Sequence, residues 1–321
     1  MAEHSTHSHS HSHSHSHTAH SRSRRRRSSD LKAYRKSRYF CAFLLFITLT
    51  LLSFSATAKA YPLDADRVGD IFTSREYVTA LADDVRTYGE DMCRRNGVPV
   101  SALGDLLSDA SIRALNESYV YGTLSLDEKY SKTYYADKLD ELSASLEKNI
   151  DKTLQTAHIK TADGVRDGAA ALSQDITDYL EKRMVFPLME KVETVLSLGA
   201  TAAVTVTVIS AVLTAALILV VIALGSEVYR NLRSVTHASS AAALMCFGTA
   251  ALYGIIREEK ELFFFPEYLE AALMRHLDAS AGALALTGAL LTVASLAVMA
   301  VTWKLKSDKL DSSSSHKASS L

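Results

Sequence analysis

Two spacings of apolar residues divide this chain. In Tyr39–Ala58, Leu196–Leu224, Ser239–Ile256 and Ser280–Trp303 the apolar residues are almost continuous, and the last three stretches contain no Asp, Glu, Lys or Arg. An uncharged stretch of roughly 18 or more residues can cross the hydrocarbon layer as a helix. A helix in a soluble core is apolar along one stripe only. Stripes of that second kind fill the segment between the first two runs. Val78, Leu81, Val85, Tyr88 and Met92 follow 3-4-3-4 spacing, which predicts a helix starting near Thr73 or Ser74 and ending at Asn96-Gly97 and Pro99.

The same reading predicts a shorter helix from Ser101 through Leu103, Leu106 and Leu107, continuing to Ile112 and Leu115, with a turn at Tyr119, Tyr121 and Gly122. Leu139, Leu142, Leu146, Ile150 and Leu154 form another stripe. After a break near Thr161–Gly164, Val165, Ala169, Leu172, Ile176 and Tyr179 repeat it. Two long helices, antiparallel to each other, are implied. Each stripe is too short to demand a coiled-coil partner, so the stripes are expected to bury against one another. No period-2 pattern supports strands outside the apolar runs.

The expected class is therefore all-α, an integral membrane protein with an N-terminal signal anchor or signal peptide, a helical extracytoplasmic domain and three C-terminal transmembrane helices. Its divisions are a disordered His/Ser- and Arg-rich tail (1–38), an anchor or signal (39–60), the helical domain (61–195) and a span (196–224). A second span (239–256), an external loop (257–279), a third span (280–303) and a disordered tail (304–321) follow.

Charge orients these elements. Residues 1–38 hold nine Arg and Lys against Glu3 and Asp30, while residues 61–195 hold 25 acidic and 16 basic residues. Arg24–Arg27, Arg230 with Arg233, and Lys304, Lys306 and Lys309 fall on one side if each run crosses once. The positive-inside rule makes that side cytoplasmic. The domain and the loop with Glu258, Glu259, Glu261, Glu267 and Glu270 are then outside. Whether the first run stays as an anchor is open, because Ala58-Lys59-Ala60 before Tyr61 also reads as a signal-cleavage site.

Two features qualify the membrane part. Ala281, Ala285 and Ala289, with Gly248 and Gly254, suit close helix packing, either within the chain or with another membrane protein. Phe263–Phe265 precede Pro266, and a short helix Pro266–Leu277 is expected. It would either lie on the bilayer with Leu269, Leu273 and Leu277 toward lipid, or pack under the external domain.

The run Phe72-Thr-Ser-Arg-Glu-Tyr77-Val78, then Asn96-Gly97-Val98-Pro99 and Tyr119-Val-Tyr121-Gly122, resembles the opening of an external domain in uncharacterised multi-pass membrane proteins of Gram-positive bacteria. The resemblance covers residues 70–125. It implies a bacterial plasma membrane and the same topology, and brings no activity or site residues.

Candidate chemistry is sparse. There is no phosphate loop, dinucleotide fingerprint, nucleophile elbow or paired-histidine zinc motif around His158, His237 or His276. No enzymatic activity and no required cofactor are expected. His4, His7, His9, His11, His13, His15, His17 and His20 alternate mainly with Ser, a composition expected to be disordered and able to bind Zn, Ni or Cu unselectively. Asp83/Asp84, Glu90/Asp91 and Glu258/Glu259 are read as a solvated face before a cation site. Cys41, Cys93 and Cys246 offer no disulfide framework within the domain. Asn116-Glu117-Ser118 fits a glycosylation acceptor by chance. The spans lack internal ionisable residues, which argues against a carrier. Expected partners are the lipid bilayer and another membrane or envelope protein, with no nucleic acid. Two functions stay open: a non-catalytic envelope protein whose domain binds a protein or cell-wall component, and a membrane subunit or accessory of a transport complex.

Overall fold

A computed structural model describes residues 17–156, 163–185, 189–223, 228–259 and 266–318. Among them every regular element is helical. In order these are α1 (His17–Ala60), α2 (Ala65–Phe72), α3 (Arg75–Arg95), a 3-10 turn (Val100–Ala102), α4 (Asp109–Thr123), α5 (Lys132–Thr156), α6 (Asp163–Met184), α7 (Met189–Ala223), α8 (Val228–Glu259) and α9 (Glu267–Ala318). Four of them are long and apolar enough to cross a membrane, over Lys36–Ala60, Lys191–Ala223, Val228–Arg257 and Glu267–Lys309. The chain is a membrane protein by this criterion.

The chain forms two compact units, Thr50–Ala211 with Ala243–Leu290, and residues 1–49 with Val212–Ala242 and Leu291–Leu321. The first contains the helical domain. Its core joins Val78, Leu81 and Val85 of α3, Leu146, Ile150 and Leu154 of α5, and Ala169, Leu172 and Ile176 of α6. The stripes thus bury against one another, as their short length requires.

Local chemistry sets the helix ends. Ser74 caps α3, its hydroxyl accepting from the Tyr77 N–H. At the other end Gly97 takes φ +68°, and the Val98 N–H donates to the Cys93 carbonyl. That left-handed residue turns the chain so that the Val98 N–H reaches a carbonyl the helix end would leave unpaired.

Several expectations shift. The helix expected from Ser101 is only a 3-10 turn, broken at Gly104 (φ +52°), and α4 begins afresh at Asp109 under a Ser108 cap. Tyr119, Tyr121 and Gly122 are not a turn but lie in α4, where Tyr119 and Val120 are buried. Core contact there outweighs the turn signal, and the chain turns after Leu124, with Ser125 at φ +54°. Helix α1 starts at His17, within the tail expected to be disordered to residue 38, and α9 continues to Ala318 through the tail expected at 304–321. Extending an existing helix fixes one residue per hydrogen bond, and Arg and Lys are good helix formers, so a long apolar helix propagates into polar flanks.

The separate surface helix before the last span is also corrected. Residues from Glu267 onward belong to the continuous helix α9. Leu269 and Ala272 are buried in the domain core with Leu273 packed against it, whereas Leu277 is exposed. Packing under the domain is the arrangement found, because the domain supplies the apolar cover that lipid would otherwise provide.

The span segments join through hydroxyls and small residues. In the first unit Thr57 and Thr287 share a 2.9 Å hydrogen bond, and Thr207 donates to Ser55 at 2.9 Å. Gly288 fits where a Cβ would sit 3.2 Å from the Ala243 carbonyl and the Cys246 Cβ. By contrast Gly248 and Gly254, expected at a close contact, have open space beside them. The second unit has its own small core of Leu45, Val221, Val235 and Ala238. Ser240 and Ser295 bond there at 2.6 Å, and Ser295 also donates to the Thr236 carbonyl at 3.1 Å. Such bonds replace the hydrophobic driving force that lipid surroundings remove.

Candidate functional site

Helix α2 is the part of the domain that follows the first apolar run directly. Asp64 caps it, accepting from the Asp66 N–H at 3.2 Å. Val68, Gly69 and Phe72 turn inward while Asp66, Arg67 and Asp70 face out. Gly69 permits a close approach, since a Cβ there would meet Leu126 Cδ1 at 2.6 Å. The far end of α2 is held by Asn116, 1% exposed, whose Nδ2 donates to the Phe72 carbonyl at 2.8 Å. That burial also removes Asn116 from any glycosylation role.

Beneath α2 lies a cavity of about 360 Å³. Its walls are Leu63, Val68, Ile71 and Phe72 on one side, Val192, Val195 and Leu196 from the start of α7, and Ala272 and Leu273 from α9. Among the described residues, Lys191 and His276 are its ionisable lining groups. The His276 Nε2 is 3.4 Å from the Pro62 carbonyl oxygen. A volume within the roughly 300–1,000 Å³ of small-molecule sites, apolar walls and a few polar groups make this cavity the candidate site.

A polar cluster lies elsewhere in the same unit. The Tyr179 hydroxyl donates to Asp84 Oδ1 at 3.1 Å, Arg183 donates to the Tyr179 oxygen at 2.8 Å, and Arg183 Nε pairs with Asp84 Oδ2 at 3.2 Å. Tyr88 stacks on Tyr179 with centroids 3.8 Å apart. Burial raises the Tyr179 hydroxyl above its ordinary range, and the hydrogen bond from Arg183 opposes this. Tyr77 packs edge-on against Phe72 and Tyr268. Burial, then Tyr268 and Tyr119, push its hydroxyl well above the usual tyrosine range. Arg275 and Glu76 form an ion pair between α9 and α3.

The acidic pairs are divided among arginines. Asp83 pairs with Arg86, Asp84 with Arg183, Glu90 with Arg94 and Asp91 with Arg95. The side chains of Glu258 and Glu259 lie outside the described residues. Arg86 also reaches Asp109, which accepts from Thr79 as well, each at 3.0 Å; the Thr79 hydrogen bond, then Arg86, holds the Asp109 carboxyl below its ordinary value.

No group of three or more His, Cys, Asp or Glu able to hold a metal occurs among the described residues. His4, His7, His9, His11, His13 and His15 lie outside those residues, as does His158. His17 and His20 lie in the first turn of α1, without described side chains. His237 is exposed, and His276 lines the cavity beneath α2. The three cysteines are free.

Sequence reasoning missed both α2 and the cavity. The Asp64 cap and the inward set Val68, Ile71 and Phe72 were a legible helix signal. The cavity was not legible, because its walls come from three segments spread over residues 62–276. No protein family model, curated protein or solved structure matches the chain.

Proposed function

We propose that this is a non-catalytic protein of a bacterial plasma membrane, whose helical domain stands on the extracytoplasmic side and binds a protein or cell-wall component. The observation carrying this reading is the incorporation of Leu269 and Ala272 of α9, with Met189 and Leu196 of α7, into the domain core. A domain continuous with two membrane helices holds its ligand at a set distance from the bilayer. The ends of α7 and α9 that meet this core then share one membrane face. The basic residues after α7 and at the end of the last span belong on the opposite face, the cytoplasmic one by their charge.

Retention of α1 as an uncleaved anchor accords with its Ser55 and Thr57 hydrogen bonds to α7 and α9. The resemblance over residues 70–125 to uncharacterised multi-pass membrane proteins of Gram-positive bacteria is in keeping with that compartment. The alternative, a subunit or accessory of a transport complex, draws on the open space beside Gly248 and Gly254, where a helix of another membrane protein would fit closely.

Reporter fusions after Lys191 and after Glu261 are expected outside, and fusions after Arg233 and Lys306 inside. A cytoplasmic signal at Lys191 would overturn the topology. Co-purification in mild detergent separates the two functions: envelope or wall partners support the first, and a stoichiometric transport ATPase supports the second.

A further inference from the structure

We propose that the cavity beneath α2 holds one acyl chain of an anionic membrane phospholipid, with Lys191 at the phosphate; this rests on the reading that the four apolar helices cross a bilayer. The first span segment ends at Ala60, and Leu63 follows as a cavity wall. The second span segment begins at Lys191, and its first residues Val192, Val195 and Leu196 form the opposite wall. Leu273 and His276 close the third side just ahead of the uncharged stretch at 280–303. Three walls therefore come from chain entering or leaving the apolar layer. A cavity placed there is filled from the bilayer without its occupant crossing water.

The chemistry of the walls selects a chain over a polar ligand. Leu63, Val68, Ile71, Phe72 and Leu196 offer no hydrogen-bond partner from their side chains, so a buried polar group would lose its hydration uncompensated. Val195 is 61% exposed although large and apolar, as expected of a residue at a lipid-facing mouth. Lys191 is exposed beside it. A lysine where a span leaves the hydrocarbon extends its ammonium to the level of the headgroups, where it can meet a lipid phosphate. His276 is less suited to the phosphate, because it is half-buried with its Nε2 toward the Pro62 carbonyl.

Native mass spectrometry of the full chain, extracted in a mild non-ionic detergent, tests the proposal. The expected result is a protein carrying one phospholipid, enriched in anionic species over their share of the membrane. Ala272→Phe fills the cavity and is expected to cut the retained lipid about tenfold or more. Val195→Trp narrows the mouth at an exposed position, leaves the core intact, and is expected to have the same effect if Ala272→Phe does not fold. Lys191→Gln should keep the lipid but reduce the anionic preference about fivefold, the factor expected for one lysine near a charged headgroup. Absence of bound lipid on folded wild type, equal retention in Val195→Trp, or recovery of a bound peptide in its place would overturn the proposal. Release of the chain from membranes by alkaline carbonate would instead sink the underlying membrane reading.

Discussion

Asn116 joins two helices by one buried bond, and its loss can be worked out in advance. The side chain is 1% exposed and its Nδ2 donates to the Phe72 carbonyl across 44 residues of sequence, at 2.8 Å. Asn116→Ala removes the donor and leaves the carbonyl at the end of α2 without it. An unsatisfied buried acceptor costs about 1–3 kcal/mol, so a loss of about 2 kcal/mol is expected. In a domain of this size 1 kcal/mol corresponds to roughly 3–5 °C in Tm. Thermal unfolding of the detergent-solubilised full chain, followed by tyrosine near-ultraviolet circular dichroism, should show a fall of roughly 6–10 °C. Asn96 supplies the control: its Nδ2 donates to the Met92 carbonyl at the same 2.8 Å, but in an exposed position. Asn96→Ala should cost under about 1 kcal/mol, because water replaces the bond. Equal losses from the two substitutions, or a wild-type Tm for Asn116→Ala, would refute the argument that burial gives the Asn116 bond its value.

Three further outcomes are expected. Gly288→Ala should destabilise the chain by about 1–3 kcal/mol, because its Cβ meets the Ala243 carbonyl and Cys246 at 3.2 Å, whereas Gly248→Ala, in open space, should not; melting in detergent compares them. Tyr77 and Tyr135 are held neutral chiefly by burial. Their contribution to stability is full below the unfolded phenol value of about 10 and is lost as pH rises above it, since only the unfolded chain then releases those protons; denaturant titration from pH 8 to 11 with absorbance at the phenolate band reads this. Deleting residues 4–20 while keeping Arg24–Arg27 should leave membrane insertion and domain folding unchanged, as judged by reporter topology and protease resistance; failure to insert in metal-free medium would contradict a tail with nothing to bury.

The sequence by itself determined the long helices and which of them are apolar enough to cross a membrane, because both properties repeat within a few residues. The stripe Val78, Leu81 and Val85, the Ser74 cap and the Gly97 stop are local, and all appear where the spacing puts them. Tertiary structure decided what each apolar face meets. Pattern alone left Leu269 and Leu273 equally suited to lipid or protein, since both remove the same surface from water. Only the fold places Leu269 in the domain core and Leu273 against it. Likewise Gly248 and Gly288 are alike as small residues in apolar runs, yet only Gly288 lies against a neighbouring backbone. The cavity belongs to the same class, for its walls at residues 62–72, 191–196 and 272–276 come together only once the helices pack. Spacing along a chain specifies periodicity, while a site specifies distances between remote segments, and those distances are set by packing.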